Sequence, residues 1–163
     1  MLLAQEKWGD GFATKGLLLS PCVAHMYTTG EIAANIALET MPGLDTLDML
    51  VLWKGFPTYA SVQTIFTILK ADWYYLENNQ YVQWPTLTTT ECQVPGQHAT
   101  ALTLPWGGTS HPIWFNTDPR FSTVKVYGGV FAREGMDNVV SMTKMIDTDI
   151  KPLPFAEQEA ALA

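Results

Sequence analysis

The chain has 163 residues, of which 47% are hydrophobic, 12% aromatic and only 15% charged, and its formal net charge is −7 at pH 7. This length suits one domain that buries its own core. The acidic balance repels phosphate backbones, and because no cluster of basic residues interrupts it we expect no nucleic-acid partner. Such a low charged fraction is typical of a surface that a second subunit or an apolar ligand partly covers.

The sequence offers no segment of the kind that spans a membrane or holds structural zinc. No run of about 18 apolar residues occurs, so we expect no membrane span. The apolar start of MLLAQEKWGDGF is too short for the core of a signal peptide. We therefore expect a cytoplasmic location, and the sequence leaves location in an organelle as an alternative. Cys22 and Cys92 lie far apart and outside any Cys-x-x-Cys pair.

The first third of the chain mixes strand-like and helix-like patterns. Residues 1–16 contain three glycines and are interpreted as a loose lead-in. Residues 17–27 form a strand candidate broken at Pro21, and 22–27 is the better strand. In residues 31–41 the apolar side chains fit both the alternation of a strand and the spacing of a helix. The alanines favour a helix locally, and the arrangement of the whole chain slightly favours a strand.

Two helices are predicted between residues 44 and 73. In residues 44–53 leucines recur at helical spacing, and aspartates near the start with Lys54 after the end suit the helix dipole. Residues 59–73 give the clearest helical pattern of the chain, with Ser61 as the expected N-cap. Its apolar face consists of Val62, Ile65, Phe66, Leu69 and Trp73.

The second half of the chain is rich in β-branched and aromatic residues separated by turn sequences. This composition predicts an antiparallel sheet with strands at residues 81–91, 99–104 and 123–130. Residues 137–146 return to helical spacing, and 151–163 is a short terminal helix or a frayed tail. The whole chain is therefore predicted to be a single α+β domain, a curved antiparallel sheet or distorted barrel flanked by two or three helices.

Four segments share a pattern with a known family. They are VAHMY at 23–27, SVQTIFTIL at 61–69, the pair TTTECQVPG at 88–96 and TALTLP at 100–105, and TVKVYGG at 123–129. In these segments the chain resembles the SOUL/heme-binding protein family of the gyrase-inhibitor-like effector-binding superfamily. The resemblance implies two repeats that form a distorted antiparallel barrel flanked by two helices.

The same resemblance implies a ligand site beside the main predicted helix. Some SOUL-family members have a histidine at the position of His25 that is proposed as an axial heme ligand, and imidazole nitrogen binds iron well. We therefore predict binding of a planar hydrophobic molecule, most plausibly heme or another tetrapyrrole, with His25 as the metal ligand. Lys70 would meet a propionate at the rim. The apolar contacts would come from Met26, Phe66, Leu69 and Trp73.

Other interpretations of these residues stay open. A lone histidine is often a hydrogen-bonded core or surface residue, and an apolar helical face is often core. His98 and His111 lack the spacing of a metal site and are interpreted as loop histidines. A small-molecule enzyme could use the same cavity with Glu91 or His98 as acid or base, which requires a displaced pKa.

A third class of function is a non-catalytic interaction subunit, for example in a homo-oligomer. Three aromatic side chains lie close together in a loop-rich segment, namely Trp106, Trp114 and Phe115. They could line a ligand mouth, form a dimer contact or pack against neighbouring loops.

Overall fold

Helices and strands alternate irregularly along the chain, as in other α+β proteins. The computed structural model describes residues 2–21, 23–55, 57–106 and 109–162. In chain order these form α1 (Leu2–Thr14), α2 (His25–Thr40), β1 (Thr46–Trp53), α3 (Tyr59–Lys70), β2 (Tyr74–Glu77), β3 (Gln80–Gln83), β4 (Thr90–Gln93), β5 (Thr100–Pro105), α4 (His111–Trp114), β6 (Thr123–Val130), α5 (Arg133–Met145) and α6 (Phe155–Ala161). A 3-10 turn (Phe115–Thr117) follows α4, and a π-helical turn (Ile146–Ile150) continues α5.

The last strand, β6, is the one on which the sheet is built. β1 pairs with β6 in parallel over all eight of its residues. Because a strand has two edges, the other edge of β6 is shared by β2 near its start, at Val124, and by β5 near its end, at Tyr127 and Gly128. β3 and β4 complete antiparallel hairpins with β2 and β5.

The predicted α+β class with a curved sheet flanked by helices is confirmed. The sheet is open, so the barrel alternative does not form, and the β1–β6 pair makes it mixed rather than wholly antiparallel. The described part of the chain holds six helices instead of the two or three expected. Within the same ranges, no helix has both the length and the apolar character needed to cross a membrane.

Two clusters of buried apolar side chains support the sheet and helices. The second cluster joins α3 to the π-helical turn through Leu69, Ile146 and Ile150, with Phe66 and Trp73 packed against it. The apolar face of the main helix is therefore core, as expected for such a face. The first cluster consists of Ala34, Leu76, Phe115, Phe121 and Val124.

The predictions for the first third of the chain are mostly wrong. The lead-in at residues 1–16 is largely helix α1, and the predicted strands at 22–27 and 31–41 give way to α2, which begins at His25. The alanine-rich segment follows its local helical preference. The predicted helix at 44–53 is strand β1, because pairing with β6 overrides the helical spacing of its leucines. Cys22, the first residue of the preferred strand, lies outside the described residues.

The second half of the chain follows its predicted pattern more closely. The strands at 99–104 and 123–130 correspond to β5 and β6, and the helix at 137–146 lies within α5 and its π-helical continuation. The strand predicted at 81–91 is wrong as a single element, since β3 ends at Gln83 and β4 begins at Thr90. The tail forms the short terminal helix α6.

The main predicted helix is confirmed as α3, with two differences at its ends. Its N-cap is Thr58, whose Oγ1 accepts a hydrogen bond from Ser61 N at 3.3 Å. The predicted N-cap at Ser61 is therefore wrong, and another hydroxyl residue three positions earlier takes that role. Trp73 lies beyond the last helical residue, Lys70, and its Nε1 donates to Ile68 O at 2.8 Å. That bond holds the indole against the end of the helix.

Candidate functional site

The predicted ligand-binding residues lie in two different parts of the structure. His25 and Met26 begin α2 and are exposed, so His25 is on a helix and not on the predicted strand. The other four residues belong to α3 or follow it directly. They are Phe66, Leu69, Lys70 and Trp73.

The groove beside α3 is small. It lies between the end of α3, the β3–β4 connection and the π-helical turn, and its volume is about 40 Å³. Of the predicted ligand-binding residues, Leu69 and Trp73 line it. An ion pair between Lys151 Nζ and Asp147 Oδ1 at 3.0 Å also lies there. Small-molecule sites usually have volumes of about 300–1,000 Å³, so the groove does not hold a flat ring system unless side chains move.

A larger cavity lies between α1 and α2 and is called the α1–α2 cleft. Its volume is about 740 Å³, within the usual range for small-molecule sites. The walls are α1, residues 17, 19–21 and 23 of the connecting segment, the first turns of α2 and the indole of Trp114 in α4. The apolar lining includes Phe12, Leu17, Leu19, Pro21, Val23 and Trp114.

Few polar groups line this cleft, and its charge is negative. Thr28 and Glu31, both on the first turns of α2, contribute a hydroxyl and a carboxylate. Gln5 and Ser20 add neutral polar groups from α1 and the connecting segment. Among the described lining residues there is no lysine or arginine. The cleft therefore suits a ligand that is largely apolar and either neutral or positively charged at one end.

A buried histidine lies directly behind the aromatic wall of the cleft. His111 is 0% exposed, and its ring meets Trp114 edge-on at 5.5 Å and stacks on Phe115. Its Nε2 lies 3.0 Å from Tyr27 O. Because a carbonyl only accepts, Nε2 carries the proton in the neutral ring, and Nδ1 has no hydrogen-bond partner in the described part of the chain. Gly30 permits this packing, since a Cβ there would lie 3.0 Å from Nε2.

Burial is the main influence on the charge of this histidine. Desolvation lowers the pKa of His111 below its usual value, and the hydrogen bond to Tyr27 O and the nearby Glu31 carboxylate oppose this only in part. His111 is therefore neutral at pH 7. The Trp114 indole that lines the cleft therefore packs against an uncharged imidazole ring.

A histidine with a lowered pKa makes stability depend on pH. In the unfolded chain His111 titrates at a pKa of about 6.5, so the unfolded state binds more protons than the folded state below that pH. We expect the free energy of unfolding to have its full value above about pH 6.5 and to fall as the pH is lowered toward the folded-state pKa of His111. Urea midpoints measured between about pH 7.5 and pH 5 test this, and His111→Gln should flatten the dependence.

The matched control is His98→Ala, because His98 is exposed on the β4–β5 turn. This variant should keep the wild-type pH dependence. If the urea midpoint of His111→Gln depends on pH as strongly as that of the wild type, a group other than His111 causes the dependence.

The other candidate acid–base and aromatic residues are not assembled into one site. Glu91 is exposed and accepts a hydrogen bond from Arg133 Nη1 at 2.6 Å, and neither Glu91 nor His98 lines the groove or the cleft. Trp106 packs on Trp53 with ring centroids 4.9 Å apart. Within the described residues, no group of three His, Cys, Asp or Glu side chains is placed to hold a metal ion.

Sequence reasoning found one cleft residue and missed the rest. Trp114 was among the aromatic residues considered for a ligand mouth, and it does line the cleft. The sequence pattern indicates no role for Thr28 or Glu31, and Phe12 lies in the segment predicted to be a loose lead-in. No motif in the sequence links these residues, because they come from separate segments that line one cleft only in the folded chain.

Comparison with known proteins places most of this chain in a family. Residues 28–163 match the model of a family of unknown function, DUF5938. The chain belongs to this family. No curated protein matches it significantly. The DUF5938 match includes every strand, His111 and the α2 side of the cleft, whereas α1 and the segment at 17–23 precede it. DUF5938 carries no assigned activity, so the resemblance to the SOUL family stays a prediction.

Proposed function

We propose that this DUF5938 protein binds an apolar small molecule with a flat ring system in the α1–α2 cleft. The observation that supports the proposal is the size and lining of the cleft. A volume of about 740 Å³ with mainly apolar walls and a few polar groups is typical of small-molecule sites.

Trp114 supplies a rigid aromatic surface for the ligand. Its ring is held edge-on against the buried His111, so it needs little ordering when a second ring approaches. Stacking of a flat ligand on an indole adds to the stabilisation that comes from removing apolar surface from water.

The polar end of the ligand faces α2. The Thr28 hydroxyl can donate or accept a hydrogen bond, and the Glu31 carboxylate accepts from N–H or O–H groups. Because the described lining holds an acidic but no basic side chain, an amine or other cationic group is favoured over a carboxylate.

Heme, or another tetrapyrrole, stays a candidate on the basis of the SOUL resemblance. His25 lies between Val23 and Thr28 along the chain, and both of these residues line the cleft. Against it, the propionates of heme would approach Glu31 and find no basic side chain among the described lining residues. The charge of the site therefore favours a neutral or cationic ring over a dicarboxylate.

Dye binding tests the proposal with defined probes. We expect Nile red, which is neutral, and acridine orange, which is cationic and flat, to bind saturably. Phe12→Ala should weaken both, because it removes an aromatic wall from α1. Trp8→Ala is the matched control, since Trp8 lies on the same helix, is 50% exposed and does not line the cleft. Glu31→Gln should weaken acridine orange about five- to tenfold and leave Nile red unchanged.

Hemin is the third probe. A saturable Soret shift that His25→Ala weakens and His98→Ala leaves intact would support the tetrapyrrole candidate, and an unchanged spectrum would remove it. The general proposal fails if neither Nile red nor acridine orange binds saturably, or if Phe12→Ala and Trp8→Ala bind them equally well.

A further inference from the structure

One edge of the sheet is long, apolar and unpaired. Among the strands of the described residues β1 pairs only with β6, and it runs for eight residues with the sequence TLDMLVLW. α2 lies against one face of this strand rather than along its edge, since a Cβ on Gly30 would meet Met49 Cε. Long apolar edges are rare in stable proteins unless charged residues protect them or another strand pairs with them.

The hydrogen bonds at both ends of β1 show which backbone groups face outward. Trp53 O accepts from Phe131 N at 3.0 Å, and Asp45 O accepts from Ser122 N at 2.8 Å. Odd-numbered residues therefore direct their backbone groups toward β6. Because the direction alternates along a strand, even-numbered residues direct theirs to the open edge. In the described part of the chain, no backbone group bonds to them there.

We propose that this edge binds the β1 strand of a second copy of the chain, antiparallel to it across a two-fold axis at Val51. This inference is independent of the proposed ligand. In this register Leu50 lies opposite Leu52 of the second copy, and both are even-numbered. Their outward N–H and C=O groups then form the hydrogen-bonded pairs of an antiparallel ladder. The two sheets become one continuous sheet with an isologous interface.

Charge selects this register from the others that the backbone allows. Only with the axis at Val51 does Asp48 lie opposite Lys54 of the second copy, and symmetry repeats the pair on the other side of the axis. An axis at Asp48 would instead place two aspartates opposite each other, which is destabilising. Asp48 and Lys54 are exposed and form no ion pair with the described residues of their own chain. Lys54 Nζ lies 5.1 Å from the centroid of the Phe131 ring, but no carboxylate among the described residues neutralises it, so both charges can pair with the partner strand.

The side chains near the axis add apolar contact. Leu50, Val51 and Leu52 are half-buried within one chain, so part of each remains exposed at the edge. Pairing removes more of this surface from water in both copies. A second copy is thus a partner whose backbone, charges and apolar side chains all match this edge.

Charge reversal tests the register on the full chain. Sedimentation velocity over a range of concentrations should show a dimer in the wild type. Asp48→Lys and Lys54→Asp should each weaken it about tenfold or more, because each places like charges opposite each other twice. The double variant D48K/K54D should restore the wild-type dimer. An equimolar mixture of the two single variants should form a heterodimer, since both of its charge pairs are then opposite in sign.

The controls separate the edge from general effects of charge and folding. Lys144→Asp and Glu134→Lys make the same charge changes on the exposed face of α5 and should leave the dimer unchanged. Circular dichroism melts check that each variant folds. A wild type that stays monomeric at high concentration overturns the proposal, and the charges would then protect the edge. A dimer that responds equally to the β1 and α5 variants also overturns it, because another surface would form it.

Discussion

Replacing Leu76 by alanine should lower the free energy of unfolding by about 2–5 kcal/mol, because the site is fully enclosed and cannot collapse around the smaller side chain. Leu76 is 0% exposed and lies in the first apolar cluster with Phe115 and Phe121. It is also the residue of β2 that pairs with Val124 of β6, which is itself 0% exposed. Urea unfolding followed by circular dichroism measures the change.

Leu18→Ala serves as the comparison for this prediction. Leu18 is 86% exposed, so the same truncation should change the free energy of unfolding by no more than about 0.5 kcal/mol. Equal losses in the two variants would mean that Leu76 is not the enclosed core residue described above.

Gly128→Ala should destabilise the protein by about 1–3 kcal/mol, because a methyl group there collides with an indole ring. A Cβ at position 128 would lie 2.5 Å from Trp106 Cε3 and 2.8 Å from Trp106 Cγ. The ring cannot retreat easily, since it packs on Trp53 and follows β5 directly, where Trp106 N donates to Val126 O at 2.8 Å. We expect a lower urea midpoint together with a shifted tryptophan emission maximum.

Gly135→Ala is the matched glycine substitution. Its Cβ would lie 3.5 Å from Val130 Cγ1, an ordinary contact, and Gly135 is in helix α5, where alanine is preferred. This variant should be neutral or slightly more stable than the wild type. If Gly128→Ala behaves in the same way, then the indole does not lie over Gly128 in solution.

The sequence predicted best those elements in which local pattern and tertiary packing agree. α3 has a single apolar face, and that face is the one that packs on the π-helical turn. β6 alternates between buried and partly exposed residues over most of its length. In both elements the spacing of apolar residues along the sequence matches the spacing of the residues that are buried in the structure.

The helix prediction for residues 44–53 is wrong because the sequence of β1 hides the two-residue period of a strand. Leu47, Met49 and Val51 alternate as a strand requires, yet the neighbouring Leu50 and Leu52 are also apolar. In a short continuous apolar run the periodicity does not distinguish a strand from a helix, so helical spacing can be found in it by chance. Only the distant partner strand decides between the two interpretations.

The candidate site was harder to predict than the fold. α1 contains Gly9 and Gly11, which disfavour a helix, and none of its described residues is buried, so it has no strong apolar period. The cleft depends on this helix. Its residues line the cleft together with Thr28 and Glu31, and no short motif encodes that arrangement.

The central place of β6 has a consequence for synthesis on the ribosome. The strand that pairs with β1, β2 and β5 comes from the last third of the chain, whereas β1 comes from the first. Until β6 emerges, the apolar run of β1 has no native partner strand and must wait through the translation of nearly half the polypeptide. We expect slow, late acquisition of native structure and a nascent chain prone to aggregation, as for other topologies rich in long-range pairing.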